Sequence, residues 1–165
     1  MNELRVLIEA KQSADSERRS AWFTLPIDEE ELEETLGIEA DSDAYRIIEK
    51  DVPFADDVGE DTPVERLNDL CDMYENLPSE LQDEYSELMC HFSSLDELHQ
   101  HRYDIIHYPD CNSMTDIARR CLAENPAFTS LSEDCVRYFD FEAYGQYLDD
   151  NGTFVETDHG IYELP

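Results

Sequence analysis

Cationic side chains are what this chain most lacks. Lys11 and Lys50 are its only lysines, and Lys and Arg together number 11 against 42 Asp and Glu, a formal net charge of −31. From Leu67 to His101 there is no Lys or Arg at all. A polyanion of this kind is repelled by nucleic acid and by anionic membrane surfaces, so neither is expected as a partner. Glycine is also scarce. Its five copies, at 37, 59, 145, 152 and 160, cannot be arranged into a phosphate-cradling loop of the Walker or dinucleotide kind. No apolar run approaches the ~18 residues needed to span a bilayer. The start, MNELRVLIEAKQ, lacks the basic and then apolar pattern of an export signal. A cytoplasmic location is the expectation.

Close cysteine pairs are missing too. Cys71, Cys90, Cys111, Cys121 and Cys135 are odd in number and widely spaced, which argues against a disulfide framework and reads as reduced, mostly buried thiols. The histidines, at 91, 99, 101, 107 and 159, supply no paired short spacing for structural zinc. His99 and His101 would splay apart on a helix. The stretch 147–158 places Gly152 where a calcium loop has its glycine. It then puts Tyr147 at the first ligand position and Asp158 where a bidentate Glu belongs, so a turn explains it as well. Asp158-His159 has no nucleophile elbow to serve. No metal, cofactor or catalytic residue is expected.

What is present argues for a fold. Aromatics make up 10% and apolar residues 41% of the chain, more than acidic disordered tails carry. Solubility of a small domain needs a charge of only about 2–8. Duplex DNA carries roughly one charge per ~1.7 Å. The 31 excess charges therefore match ~50 Å, or about 15 base pairs, of duplex. Imitation of nucleic acid and halophilic surface adaptation both account for the acids, and composition does not separate them.

The pattern predicts an α+β chain in three parts: a mixed unit over 1–61, a helical middle over 62–102 and a mixed unit over 103–165. Leu4, Val6 and Ile8 alternate as in a strand. Strands are also predicted at 21–25 and 45–49, with a helix over 29–36 between an Asp28 cap and a Gly37 stop. An acidic loop follows over 51–61. Thr62 with Glu65, Ser79 with Gln82 and Ser94 with Glu97 read as capping boxes opening three helices. Acidic rows run beside their apolar stripes: Glu65, Asp69 and Asp72 on the first, Glu80, Asp83, Glu84 and Glu87 on the second. A solvated helix face normally mixes both signs; these faces do not. Beyond them, 103–108 reads as a strand, Ser113 to Glu124 as a helix stopped by Asn125-Pro126, and Ser132 to Leu148 as a broken helix. Asn151-Gly152 reads as a turn, and 153–157 with 161–164 as a terminal hairpin.

Several segments together resemble the ArdA family of antirestriction proteins. They are Ala21-Trp-Phe-Thr-Leu-Pro-Ile-Asp28, Leu77-Pro-Ser-Glu-Leu-Gln82, His91-Phe-Ser-Ser94 and Asp104-Ile-Ile. The block Phe141-Glu-Ala-Tyr-Gly-Gln-Tyr-Leu-Asp149 follows, then Gly152-Thr-Phe and His159-Gly-Ile-Tyr-Glu163. They keep their order and cover nearly the whole chain. The resemblance implies a small, elongated protein whose carboxylates stand in for the phosphates of bent B-form DNA. It implies a homodimer joined through the C-terminal part. It also implies a target, the DNA-binding groove of Type I restriction–modification enzymes (the methyltransferase core), blocked as a plasmid or conjugative element enters a new cell.

The candidate phosphate mimics come from the first helix and the all-acid stretch: Glu29, Glu30, Glu33, Glu34, Glu65, Asp69, Asp72, Glu75, Glu80, Asp83, Glu84 and Glu87. Their expected role is collective. Tyr138, Phe139, Phe141, Tyr144 and Tyr147 are candidates either for a dimer interface or for the core of their own domain. An acidic inhibitor of some other basic DNA-binding protein and a halophile's cytosolic domain remain as alternatives.

Overall fold

Alternation at Val6 and Ile8 sets the first element. In the computed structural model, which describes residues 3–11 and 19–165, β1 (Arg5–Ala10) turns both side chains to a buried face. It is the centre of an antiparallel sheet, flanked by β2 (Ser20–Thr24) and β3 (Tyr45–Asp51). The register sets Val6 opposite Phe23, and Ile8 opposite Ala21 and Ile47. Phe23 and Ile47 are buried as well, which makes that face continuous. The chain is α+β throughout and forms two compact units, Met1–Gln100 and His101–Pro165.

In the first unit, α1 (Glu29–Leu36) lies against β2 and buries Leu32 and Leu36. Its ends are those predicted. The Asp28 carboxylate accepts the Glu30 N–H at 2.9 Å. Gly37 adopts φ 67° and sends its N–H back to the Glu33 carbonyl, a conformation that favours glycine.

α2 (Val64–Glu75) starts without the predicted box. Pro63 holds the cap position with no side-chain bond, and Thr62 Oγ1 accepts from Gly59 N–H at 2.7 Å instead. The first helical N–H is satisfied from the sheet. Val64 N–H donates to the Tyr45 hydroxyl at 2.9 Å, and that hydroxyl donates to the Ala40 carbonyl at 2.8 Å. Asn68 adds a two-way bond to the Ile27 backbone, at 2.7 and 3.0 Å. Side chains remote in sequence thus dock α2 on the strands.

Gln82 also departs from expectation. It does not box with Ser79; its amide donates to the Tyr74 and Leu77 carbonyls, at 2.9 and 3.1 Å, and closes the end of α2. The next helical stretch is broken into α3 (Ser79–Asp83) and α4 (Tyr85–Leu88), parted at Glu84 with φ −109° and ψ 25°. α5 (Leu95–Gln100) opens on the predicted Ser94 cap, whose hydroxyl accepts the Glu97 N–H at 3.3 Å, and its first N–H, that of Leu95, donates to the distant Asp57 carboxylate at 3.1 Å. The acidic loop 51–61 is packed into this unit, with Phe54 and Val58 buried and Lys50 Nζ donating to the Ala55 and Val58 carbonyls.

Phe54, Tyr74 and Tyr85 contact one another in sequence, the first pair tilted and the second edge to face, with centroids 5.8 and 5.3 Å apart. Burial, with Asp57 nearby, pushes the Tyr85 phenol far above its ordinary range. Its oxygen is buried and has no hydrogen-bond partner among the described residues. A buried unmade bond costs about 1–3 kcal/mol, so Tyr85→Phe should raise stability by about that much. A urea midpoint that falls instead would show that the hydroxyl is bonded.

The second unit contains β4 (Ile106–Tyr108), α6 (Met114–Ala123), α7 (Pro126–Thr129), α8 (Glu133–Arg137), α9 (Phe141–Asn151), β5 (Thr153–Thr157) and β6 (Gly160–Leu164). Its antiparallel sheet has the order β4-β6-β5. β4 is shorter than predicted because 101–104 forms a turn, closed by Asp104 N–H to the His101 carbonyl at 2.9 Å. Asn125-Pro126 ends α6 and also starts α7, the Asn125 side chain accepting from Ala127 N–H at 3.0 Å. Asn151-Gly152 is the end of α9 rather than a hairpin turn, since Gly152 N–H bonds the Leu148 carbonyl at 2.9 Å. The hairpin itself turns at Gly160, φ 117°, where a Cβ would lie 2.4 Å from the Tyr108 carbonyl oxygen. Cys111, Ile117 and Ile161 form a buried cluster, with Tyr108, Met114, Cys121, Leu148 and Phe154 packed around it.

Candidate functional site

The acidic residues proposed from sequence all lie in the first unit, and the helices decide where each points. On α1, Leu32 and Leu36 are buried, so Glu29, Glu30, Glu33 and Glu34 fall on the solvent side. Glu31 is exposed beside them and belongs with the set. Three of these acids occupy the first turn, where the helix dipole favours negative charge. On α2, burial of Val64, Leu67, Leu70 and Cys71 leaves Glu65, Asp69, Asp72 and Glu75 exposed. Glu80, Asp83 and Glu87 are exposed on α3 and α4.

Glu84 is a correction. It is only 8% exposed. The i, i+4 row that included it assumed an unbroken helix, and the break at Glu84 itself rotates the side chain inward. It does not belong to the exposed surface.

Four of the unit's cations form ion pairs with other acids. Arg5 pairs with Asp51 at 2.9 Å, Arg46 with Glu9 at 3.3 Å, Lys11 with Asp61 at 3.5 Å, and Arg66 with Asp96. None of those four acids is among the candidates. Arg5 also lies over the exposed Trp22 ring at 5.0 Å. A cleft of about 420 Å³ is lined by Lys11, Asp41, Ser42, Asp43, Tyr45, Asp61 and Pro63. Its acids were absent from the sequence selection, although the Asp41-x-Asp43 spacing in a Lys-free stretch was a readable signal.

Among the described residues no group of three or more His, Cys, Asp or Glu side chains is placed to hold a metal ion. All five cysteines are free thiols. Burial pushes Cys71 up to about 11, with Glu75 beside it adding to the effect, and raises Cys111 and Cys121 as well. Such thiols are poor nucleophiles.

The aromatic candidates of the second unit sit outside its buried cluster. Phe139, Phe141 and Tyr144 are half-buried, while Tyr138 and Tyr147 are 83% and 58% exposed. Phe128, Phe139 and Phe141 contact one another edge to face at 5.0–5.8 Å. Tyr144 and Tyr147 stack beyond them at 6.0 Å. Leu131 is exposed too, so α7, α8 and α9 carry an apolar patch open to solvent.

The chain thus sets exposed acidic helix faces and an exposed aromatic patch on an α+β fold. The chain belongs to the antirestriction protein (ArdA) family, whose model matches residues 14–163. That is a family of inhibitors of restriction. No curated protein sequence matches the chain.

Proposed function

We propose that this protein blocks Type I restriction–modification enzymes by occupying the DNA-binding groove of their methyltransferase core in place of DNA. The observation that carries the reading is the exposure of Glu29, Glu30, Glu33, Glu34, Glu65, Asp69, Asp72, Glu75, Glu80, Asp83 and Glu87 on the helices of one unit, while that unit's described ion pairs engage other acids. A DNA-binding groove uses Lys and Arg to neutralise phosphates, and much of its affinity is sequence-independent. Carboxylates held on folded helices meet the same cations without any bending cost. In this reading residues 1–61 and 62–102 present the anionic surface, and 103–165 join two copies. The aromatic patch on α7–α9 supports the last point, because exposed contiguous apolar surface marks interaction sites and a second copy would cover it. The protein acts in the cytoplasm, where it meets the enzyme.

The test is one assay on purified protein. Added to a Type I enzyme, it should suppress DNA binding and cleavage, most strongly at low salt. Sedimentation of the same preparation should give the mass of a dimer. Full cleavage with a folded protein present would overturn the reading. Unfolding at low salt would point to halophilic adaptation, and binding only to another basic DNA-binding protein would point to that target.

A further inference from the structure

Arg66 is the only Lys or Arg between Asp51 and His101. Its guanidinium crosses from α2 to α5 and takes the Asp96 carboxylate with both terminal nitrogens, Nη1 donating to Oδ1 at 3.1 Å and Nη2 to Oδ2. It is also within electrostatic reach of Asp57 in the 55–57 turn and of Asp69 one turn along α2. Asp57 holds the Leu95 N–H that opens α5. Three acidic elements therefore converge on a single cation. Asp57, half-buried and next to Asp96 and Asp56, is raised from the ordinary carboxylate range mainly by burial, while the Arg66 bond draws Asp96 below it.

The pair is too open to be chiefly a source of stability. The Arg66 and Asp96 side chains are 38% and 48% exposed, and exposed pairs contribute ~0.2–1 kcal/mol. A polyanion that gained from charge alone would bind a basic groove better without Arg66. We infer that Arg66 is a positioning residue: it ties α5, and through it the 55–57 turn, to α2 and so fixes where α2 sets Glu65 and Asp69 relative to the acids of the neighbouring elements. The inference rests on the proposed function.

The two ideas, charge and position, differ in sign. Arg66→Gln makes the protein one unit more negative, so a pure count of charge makes it the better inhibitor. Positioning makes it worse, by up to about fivefold in the concentration needed to block a Type I enzyme, the most that an exposed ion pair can hold. Arg66→Lys keeps the charge but not the bidentate fork, and should fall between, about threefold weaker than the parent. Circular dichroism and a thermal melt verify that each variant is folded at the assay temperature. Parent protein that fails to inhibit sinks the proposed function. Parent protein that inhibits, with folded Arg66→Gln as good or better, overturns the positioning role alone. Should Arg66→Gln not fold, Arg66→Lys decides, and inhibition equal to the parent's overturns the role.

Discussion

Changing Glu29, Glu30, Glu33, Glu34, Glu65, Asp69, Asp72, Glu75, Glu80, Asp83 and Glu87 together to their amides should abolish inhibition of a Type I enzyme, while any one change alone should be hard to detect. Each of these side chains is exposed, and a single exposed charge contact is worth only ~0.2–1 kcal/mol. Eleven such contacts sum to about 2 kcal/mol at the low end and about 11 at the high end, enough to move binding by more than tenfold to many orders of magnitude. The amides keep shape and leave the buried faces of α1 and α2 untouched, so the far-UV spectrum should not change. Stability should rise, because self-repulsion among like charges is removed. The salt dependence of what binding remains should flatten, as fewer ionic contacts are made. Glu84→Gln is the internal control. That side chain is buried, so its change should move the melting temperature and leave inhibition where it was. Inhibition that survives the full amide set, or that vanishes with one of its members, would replace distributed charge with another mechanism.

How much of this was legible beforehand depends on whether the deciding contact is local. The Asp28 and Gly37 ends of α1 were readable, because the cap bonds lie two to four residues from the residues that make them. The strand at Val6 and Ile8 was readable from alternation, and the one at Phe23 from its aromatic residues. The position where α2 starts was readable within a residue but its cap was not, since its first N–H is bonded by Tyr45, 19 residues away. The capping role read for Gln82 was displaced by carbonyls of the preceding helix, to which its amide donates. The inward turn of Glu84 follows from a break between two very short helices, and a periodic row cannot register a break. The exposure of Glu29, Glu33, Glu65, Asp69 and Asp72 was legible for the opposite reason. Buried leucines at helical spacing dictate which face remains, and the acids on it need no partner to be placed.

Gly145 carries the other large effect. A helix-interior glycine replaced by alanine normally gains ~0.5–1 kcal/mol from lower chain entropy. Here the sign should reverse. A Cβ on Gly145 would sit 2.6 Å from the Met114 carbonyl oxygen, 2.7 Å from its carbon and 3.1 Å from Thr115 N. These are backbone atoms of the first turn of α6, fixed by the Ser113 side chain accepting the Asp116 N–H, so no rotamer change relieves the contact. Separating α9 from α6 would loosen Ile117, Met114 and Leu148 around the buried cluster. Overpacking of this kind costs about 1–3 kcal/mol, more than the propensity gain, so Gly145→Ala should lower the thermal midpoint and Gly145→Val lower it further. Hydrogen exchange should quicken at Ile117 and Ile161, whose burial depends on that crossing. The aromatic patch is built on α7, α8 and α9, so the same variants should dissociate the proposed dimer while the acids of α1 and α2 stay in place. A stabilised Gly145→Ala protein would mean that α6 and α9 do not meet at backbone distance.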